Sequence, residues 1–246
     1  MINMIEVRNL TKRFGRFTAV DDLSFTVGAG EAVALWGANG AGKTTAVRCL
    51  LNLFPFEGEI LVDGLDARRA GKAVRRLIGF VPQETFLFSD SLGGNVLFGA
   101  PGAGPERIAW AAGVAQLGKD VADFPKGFDT VVGERGITLS GGQKQRTALA
   151  RALAVEPRIL VLDDSLAAVD TETEEQILRG LRDVRAGRTT FLVSHRVSTV
   201  KDADLIVVLR EGRIVERGSH EELLEKGGFY AELHRRQLLE QEVATA

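Results

Sequence analysis

The fold is decided by the stretch Gly37-Ala38-Asn39-Gly40-Ala41-Gly42-Lys43-Thr44-Thr45. The apolar run Ala32–Trp36 before it predicts a buried parallel strand, and residues 46–51 after it predict the opening of a helix. The glycines let the backbone turn successive N–H groups inward around an anion, and the helix adds the positive end of its dipole. Lys43 supplies a point charge near the β- and γ-phosphates, and the Thr44 hydroxyl can bind Mg²⁺. In the order strand, loop, helix, the stretch predicts a site for the phosphates of a nucleoside triphosphate rather than a glycine-rich turn with an exposed lysine.

Composition narrows the class of protein. The 246 residues are 45% hydrophobic, which is enough for one large core or a core with a small subdomain. The formal net charge of −2 provides no basic field that would attract nucleic acid. Cys49 is the single cysteine, so an internal disulfide is excluded and a buried thiol in the helix after the loop is expected. No apolar run has the roughly 18–20 residues that a membrane span needs, and the N-terminus lacks a signal peptide, so we expect a cytoplasmic protein.

Strand-like and helix-like segments alternate along the chain. Strands are predicted at residues 5–8 and 18–27, with a turn at 11–16 between them, and again at 58–63, 78–81, 159–163 and 190–193. Helices are predicted near residues 68–76, at 106–116 and from 171, and a hairpin at 204–209 and 213–215. Ser219-His220-Glu221-Glu222 predicts the capped start of a last helical region. His220 and His234 lie outside any motif and are expected at the surface.

This order of elements predicts an α/β fold. We expect a P-loop NTPase (RecA-like) core with a parallel sheet, N-terminal antiparallel strands and an inserted α-helical subdomain. Residues 1–246 would form one domain. Its α/β core would comprise residues 1–88 and 154–218, its helical subdomain residues 89–153, and its C-terminal helices residues 219–246.

Two further segments have the chemistry of a phosphate site. The strand Ile159–Asp163 ends in an acid that can hold Mg²⁺ through its water shell, and Asp164 after it could polarise the attacking water or else cap a helix. The stretch Leu139-Ser140-Gly141-Gly142-Gln143 precedes a helix, where Ser-Gly-Gly forms a second anion site or an ordinary helix N-terminus. Because one nucleotide does not obviously need two such sites from one chain, we expect each site to complete the nucleotide of a partner across a dimer.

These motifs resemble those of the ATP-binding cassette (ABC) ATPase family, and the resemblance covers nearly all of the chain. Residues 37–44 resemble the Walker A motif, residues 159–163 the Walker B motif and residues 139–143 the family signature. Gln83 resembles the Q-loop glutamine, residues 165–170 the D-loop and His195 the switch histidine. Gln83 and His195 could also be ordinary polar residues at the ends of strands.

The resemblance implies a role for each matching residue. The catalytic residues would be Asp164, His195 and Gln83. The residues that bind ATP would be Phe14, Gly37, Asn39, Gly40, Ala41, Gly42, Lys43, Thr44, Thr45, Ser140, Gly141, Gly142 and Gln143. Mg²⁺ would be bound by Thr44, Gln83 and Asp163. Phe14 occurs where the family stacks an aromatic ring on adenine, although Phe17 could serve instead, or Phe14 could belong to the core.

Asp164 departs from the family pattern, which usually has glutamate after the Walker B aspartate. Aspartate keeps the charge but is one methylene shorter, which moves the carboxylate back by roughly an ångström, and a displacement of that order can lower a rate on the order of 10²-fold. We therefore expect slow hydrolysis at the site built on this chain's own phosphate loop. The family contains heterodimers with one such weakened site, and the signature of this chain would then serve a competent site of the partner.

The two halves of the chain resemble different branches of the family. Residues 86–89, 130–136 and 194–200 resemble exporter cassettes, whereas residues 19–23 and 38–42 resemble cassettes made as separate subunits. Exporter cassettes commonly follow a membrane domain on the same chain, and here only a few residues precede the first predicted strand. The sequence leaves two possibilities open: a membrane subunit encoded separately, or a cassette without its membrane half.

The resemblance implies an ATPase that dimerises around ATP with a second cassette and drives transmembrane transporter subunits, with export favoured over import. The second cassette could be an identical or a different chain, and the protein would lie at the cytoplasmic face of the membrane through its partner. Two alternatives are a soluble ABC ATPase that acts on nucleic acid, ribosomes or metal-cluster assembly, and a regulatory module that dimerises with ATP and hardly hydrolyses it. The single cassette shows neither a basic stripe nor aromatic stacking platforms, which argues against nucleic acid as a partner. Asp164 favours the regulatory module.

Overall fold

The computed structural model describes residues 3–133, 137–184 and 188–245 of the chain. The strands are β1 (Asn3–Phe14), β2 (Phe17–Gly28), β3 (Ala32–Trp36), β4 (Glu57–Val62), β5 (Leu65–Asp66), β6 (Ile78–Val81), β7 (Asp90–Ser91), β8 (Val131–Val132), β9 (Ile159–Asp163), β10 (Thr189–Ser194), β11 (Leu205–Arg210) and β12 (Arg213–Gly218). The helices are α1 (Lys43–Leu50), α2 (Gly71–Leu77), α3 (Leu92–Leu97), α4 (Pro105–Val114), α5 (Gly118–Asp123), α6 (Gly141–Ala154), α7 (Thr171–Val184), α8 (Val197–Val200), α9 (His220–Lys226) and α10 (Phe229–Thr245).

These elements form two compact units. The first unit comprises Met1–Leu77 and Thr189–Ala246, and the second comprises Ile78–Arg188. Parallel strands with antiparallel strands and helices make the fold α/β, which confirms the predicted class. The predicted division into core, helical subdomain and C-terminal helices stays a prediction.

The first unit contains two sets of strands. In the antiparallel set, β2, β1, β4 and β5 are neighbours in that order, which agrees with the predicted N-terminal antiparallel strands. In the other set, β3 lies between β10 and β11 and pairs with both in parallel, and β12 pairs antiparallel with β11 as the predicted hairpin. All five residues of β3 are buried, as its uninterrupted apolar sequence requires for a strand with two neighbours.

The second unit combines one parallel strand pair with most of the helices. Strands β6 and β9 pair in parallel, with Val81 opposite Leu162. The segment between them carries α3 to α6, in agreement with the helical character predicted for it. A small core of Leu92, Val132 and Leu139 lies within this insert. None of the helices in the described part of the chain has the length and apolar character that crossing a bilayer requires.

Two local predictions were wrong, and two small features of the structure had not been predicted. The turn predicted at 11–16 is shorter, because β1 runs on to Phe14 and pairs with Phe17 of β2. Helix α2 begins only at Gly71, since the preceding residues turn around Asp66, whose carboxylate accepts the N–H of Arg68 at 2.8 Å. The helical insert also contains the short antiparallel pair β7 and β8, and α8 had no sequence prediction.

The histidines outside the motifs are not simple surface residues. His220 and His234 are both half-buried, and their ring centroids lie 5.4 Å apart. The hydroxyl of Tyr230 lies 2.8 Å from Nδ1 of His220, and burial together with the His220 charge lowers the pKa of His234. The local sequence could not show this, because the contacts join α9 to α10 across a glycine turn.

The N-terminal end of helix α10 is held against the rest of the first unit. The Glu216 carboxylate accepts the N–H groups of Phe229 at 2.5 Å and of Tyr230 at 3.0 Å, which caps the first turn with a negative charge. Tyr230 is 0% exposed, and its ring lies 4.8 Å from that of Trp36 at the end of β3. Burial raises the pKa of Tyr230, so its hydroxyl stays protonated. The preceding helix, α9, begins with the predicted capping box of Ser219 and Glu222.

Removing the Tyr230 ring should destabilise the first unit strongly. We expect Tyr230→Ala to lower the free energy of unfolding by about 3–5 kcal/mol, because a fully buried aromatic side chain is replaced by a cavity. Tyr230→Phe keeps the ring and loses only the contact with His220, which predicts a loss of about 1 kcal/mol. Urea unfolding followed by circular dichroism measures both values. Equal losses for the two variants would show that the hydroxyl, not the ring, holds α10.

Candidate nucleotide site

The phosphate loop after β3 depends on two glycines whose missing side chains let backbone approach backbone. A Cβ on Gly37 would lie 2.3 Å from the carbonyl oxygen of Leu209, and a Cβ on Gly42 would lie 2.4 Å from that of Ala19. Gly42 also has φ of +100°, which only glycine adopts without strain, and it is the N-cap of α1. No other residue type fits at either position without moving the neighbouring strands.

Lys43 holds its positive charge inside this loop. Its Nζ donates to the carbonyl oxygens of Gly37 at 2.8 Å and Ala38 at 3.0 Å, and the residue is only 5% exposed. Ala38 and Asn39 are exposed, and the N–H of Ala41 closes a turn on Ala38. The loop thus presents an open backbone above a buried ammonium group, an arrangement suited to an anion with several oxygens. Thr44 and Thr45 lie half-buried in the first turn of α1.

His195 lies at the same edge of the first unit as the phosphate loop. Ser194, the last residue of β10, pairs in parallel with Trp36, the last residue of β3. His195 and Gly37 are therefore the next residues along two neighbouring strands, and carboxyl ends of parallel strands are where α/β folds place ligands. His195 itself is half-buried.

Phe14 belongs to an aromatic and cationic group at the end of β1. Its ring lies 5.4 Å from that of Phe54, edge to face, and Lys12 Nζ lies 4.7 Å from its centroid. Phe14 is 44% exposed, which leaves part of its ring accessible for stacking, while Phe17 is 64% exposed. The neighbouring Cys49 is buried as predicted, and burial raises the pKa of its thiol to about 11.

In the second unit, Gln83, Asp163 and Asp164 lie at the carboxyl ends of the paired strands β6 and β9. Gln83 follows β6 and is exposed, whereas Asp163 ends β9 and is 1% exposed. Since Val81 pairs with Leu162, residues 82–83 and 163–164 leave the strand pair side by side. Asp164 is buried and has φ of +45°, a left-handed conformation that aspartate adopts more readily than most residues.

The donor chemistry fits Mg²⁺. The Thr44 hydroxyl of the first unit, and the Gln83 amide oxygen and Asp163 carboxylate of the second, are each oxygen donors of the kind that this ion prefers. The described residues contain no cluster of three or more histidine, cysteine or acidic side chains that could hold a metal on its own. So few oxygen donors from each unit leave other positions around a magnesium ion to phosphate oxygens and water.

Ser140 begins α6 with a complete capping box. Its hydroxyl accepts the N–H of Gln143 at 3.2 Å, and the Gln143 side chain accepts the N–H of Ser140 at 2.9 Å. A Cβ on Gly142 would lie 2.9 Å from the carbonyl oxygen of Ala168, so the helix start packs against residues 165–170. Gln145 strengthens this contact, because its Oε1 accepts the N–H of Ala168 at 2.8 Å. Residues 139–143 and 165–170 thus form one surface.

Residues 165–170 also lead into α7 through a capped turn. The Asp170 carboxylate accepts the N–H of Thr173 at 2.9 Å, and this hydrogen bond lowers the pKa of Asp170. Asp170 therefore stays ionised. The first turn of α7 contains Glu172 and Glu174, as the helix dipole favours.

Comparison with known proteins decides the family. The ABC transporter family matches residues 20–167, which is more than half of the chain. The chain belongs to the ABC transporter family. The match and the site geometry identify it as the nucleotide-binding ATPase domain of that family, which confirms the predicted resemblance.

The similar proteins include several ABC exporters. The chain is 46% identical to an ATM1-type heavy metal exporter of Novosphingobium aromaticivorans, over 89% of this chain and 36% of that protein. It is 45% identical to a probable multidrug resistance ABC transporter ATP-binding/permease protein of Bacillus subtilis, over 89% and 38% respectively. A bacterial Atm1-family ABC exporter solved with ATP bound superposes with a TM-score of 0.90 at 43% identity, over 95% of this chain and 41% of that one. This chain thus spans about two fifths of the length of these relatives.

The exporter-like loop is only partly within the described residues. Thr130 is buried, and its carbonyl oxygen accepts the N–H of Leu92 at 2.9 Å. Glu134, Arg135 and Gly136 lie outside the described residues. The predicted likeness of this segment to exporters agrees with the exporters among the relatives.

An unpredicted ionic group supports the signature helix of this ABC domain. Asp120 of α5 accepts a hydrogen bond from Gln143 Nε2 at 2.9 Å and forms an ion pair with Arg146 at 2.6 Å. Arg146 also donates to the carbonyl oxygen of Gln116. The position of Arg146 just after the signature could have indicated a role in this region. Asp120 could not be predicted in the same way, because it lies 26 residues earlier and belongs to no motif.

Loss of the Asp120 carboxylate should loosen the signature. We expect Asp120→Ala to lower the free energy of unfolding by about 2–3 kcal/mol, because Gln143 and Arg146 both lose a largely buried acceptor. Asp120→Asn retains one oxygen and should lose about half as much. Chemical denaturation measures these values, with Asp123→Ala, an exposed position on the same helix, as the control expected to change stability by less than about 0.5 kcal/mol. A similar loss in the control variant would contradict a specific role for Asp120.

Proposed function

We propose that this chain binds MgATP, pairs with a second cassette around it, hydrolyses it and thereby drives a membrane exporter. The observation that carries the proposal is the phosphate loop itself: a buried lysine ammonium held between glycines at the carboxyl end of a parallel strand, in a chain of the ABC transporter family. The ATP bound in the related exporter structure supports the same ligand.

Within the proposal, each candidate residue has one task. Backbone groups of Gly37 to Gly42, together with Lys43, would bind the β- and γ-phosphates, and Phe14 would stack on adenine. Thr44, Gln83 and Asp163 would hold Mg²⁺, which neutralises phosphate charge when bound. Asp164 would polarise the attacking water, and His195 would contact the γ-phosphate. Gln83, exposed at the end of β6, would pass the presence of γ-phosphate to the membrane partner.

The signature would act on the nucleotide of the second cassette. Ser140, Gly141 and Gly142 start a fourteen-residue helix, and Ser140 and Gly141 are exposed. An exposed helix start with glycines attracts anions, so it can take the γ-phosphate that the partner presents. Closing such an interface would depend on γ-phosphate, which gives a two-state switch that hydrolysis resets.

An aromatic patch on the second unit would contact the membrane partner. Phe86, Phe88 and Phe98 are exposed by 69%, 36% and 61%, and the rings of Phe88 and Phe98 stack at 4.2 Å. Arg151 lies against Phe88 and donates to the carbonyl oxygen of Phe86, which holds the patch in place. Contiguous exposed aromatic rings mark interaction surfaces. The Bacillus subtilis relative, named as an ATP-binding/permease protein, offers the class of partner: a permease at the membrane.

The regulatory alternative rests on Asp164. Such a module would pair when ATP binds and separate rarely. It would keep Lys43 and Ser140 for binding, while the carboxylate of Asp164 would be too short to activate water efficiently. A transport ATPase and a regulatory module would both pair when ATP binds. They would differ in the rate at which they hydrolyse ATP.

ATP-dependent pairing tests the proposal. With hydrolysis blocked by Asp164→Asn, we expect MgATP to convert the chain to a dimer, measured by light scattering. Lys43→Ala should abolish ATP binding, whereas Ser140→Arg should bind ATP normally and fail to pair, because its side chain obstructs the signature. A chain that binds ATP yet stays monomeric, alone and with its membrane partner, contradicts the proposal, as does normal pairing of Ser140→Arg.

Restoring the longer acid should increase turnover. We expect Asp164→Glu to raise the ATPase rate of the self-assembled dimer by about 10-fold or more, since the carboxylate advances by one methylene. The left-handed φ at this position suits glutamate less well than aspartate, so the same variant should be slightly less stable to urea. Phosphate release and urea unfolding measure the two effects separately. An unchanged or lower rate would remove the idea that Asp164 slows this site.

A further inference from the structure

The side chain of Gln237 holds the segment that carries His195. Its Nε2 donates to the carbonyl oxygen of His195 at 2.6 Å, and its Oε1 accepts the N–H of Val197 at 3.1 Å. One amide therefore contacts the backbone on both sides of Arg196. A carboxamide offers a donor and an acceptor in one planar group, and glutamine reaches one methylene further than asparagine.

Gln237 is itself held in position by α10. Tyr230 lies seven residues earlier, so both side chains project from the same face of the helix. Tyr230 packs on Trp36, the residue before the phosphate loop, and Glu216 caps the helix start. One face of α10 thus contacts the end of β3 at Tyr230 and the segment after β10 at Gln237.

The segment between β10 and α8 is short, and Gln237 is one of the side chains that hold its backbone. It contains only His195 and Arg196 between a strand and a one-turn helix. The Ser194 hydroxyl accepts the N–H of Arg196 at 3.0 Å, and the Gln237 amide engages the two groups on either side. Because the backbone of residue 195 sets where its imidazole lies, a shift of this segment would move the ring.

We propose that Gln237 is a positioning residue that holds His195 where it can contact the γ-phosphate. The inference rests on the proposed function, which makes His195 a γ-phosphate ligand. Gln237 touches no substrate, and its effect on hydrolysis passes through the backbone of His195. The C-terminal helix is in this sense part of the ATPase machinery.

The test compares Gln237→Glu and Gln237→Ala with Leu239→Ala, an exposed position two residues further along α10. Glutamate keeps the size but cannot donate to the His195 carbonyl. We expect both Gln237 variants to lower kcat by about 10-fold or more while the KM for ATP changes less than about 3-fold, because the phosphate loop still binds the nucleotide. Leu239→Ala should leave kcat and KM unchanged.

A double-mutant cycle separates positioning from a general structural role. In a His195→Ala background, Gln237→Glu should lower kcat no further, because the residue it positions is gone. An equal loss in both backgrounds would overturn the proposal, as would wild-type kcat in Gln237→Glu.

A measurement without nucleotide keeps the two proposals distinguishable. The chain has three histidines, so the His195 ring signals can be resolved by NMR. We expect Gln237→Glu to shift the His195 signals and Leu239→Ala to leave them unchanged. If the wild type has no ATPase activity, the proposed function fails, and the spectra alone decide whether Gln237 fixes His195. Unshifted signals in Gln237→Glu overturn the positioning role whatever the activity.

Discussion

The path of the phosphate loop depends on close backbone packing within the first unit. A carbonyl oxygen of β11 packs against Gly37 and one of β2 against Gly42, so that a side chain at either glycine would collide with it. The oxygen of Leu209 lies only 2.3 Å from the position of a Cβ on Gly37, and the oxygen of Ala19 only 2.4 Å from that of a Cβ on Gly42. The path of the loop is thus set by β11 and β2 rather than by the loop alone. This path lets Lys43 reach back to the carbonyls of Gly37 and Ala38. The positive charge of the site is therefore a product of sheet packing.

The second unit fixes the start of helix α6 by a different means. Ser140 and Gln143 cap each other. Asp120 accepts a hydrogen bond from the Gln143 side chain, and the side chain of Gln145 in the same helix accepts the N–H of Ala168. These contacts are side-chain hydrogen bonds, whereas the phosphate loop is fixed by backbone packing that leaves no room for a Cβ at Gly37. Loss of one side chain can therefore loosen the start of α6, whereas the path of the phosphate loop follows from the positions of β2 and β11.

The elements that the sequence predicted well are those whose cause is local. Strands β3 and β9 follow from uninterrupted apolar runs, and the caps at Ser140 and Ser219 follow from a spacing of three residues. The end of β1 was missed because the polar residues 11–13 resemble a turn, although their pairing with β2 keeps them extended. The roles of Asp120 and Gln237 could not be predicted from the sequence. Asp120 contacts Gln143, 23 positions away, and Gln237 contacts His195, 42 positions away, and no periodic pattern links residues so far apart. The family resemblance supplied the roles of the motif residues but not the side chains that hold them.

Helix α10 ties the last part of the chain to the first unit at two points, through Tyr230 at Trp36 and through Gln237 at His195. Proteolytic trimming or a bulky fusion that frayed the helix beyond Tyr230 would spare the hydrophobic anchor and release only the amide. Under the role proposed for Gln237, we expect such a molecule to fold and bind nucleotide but to hydrolyse it slowly. The proposed role thus makes the part of α10 beyond Tyr230 a place where binding and hydrolysis could be uncoupled without changing the phosphate loop.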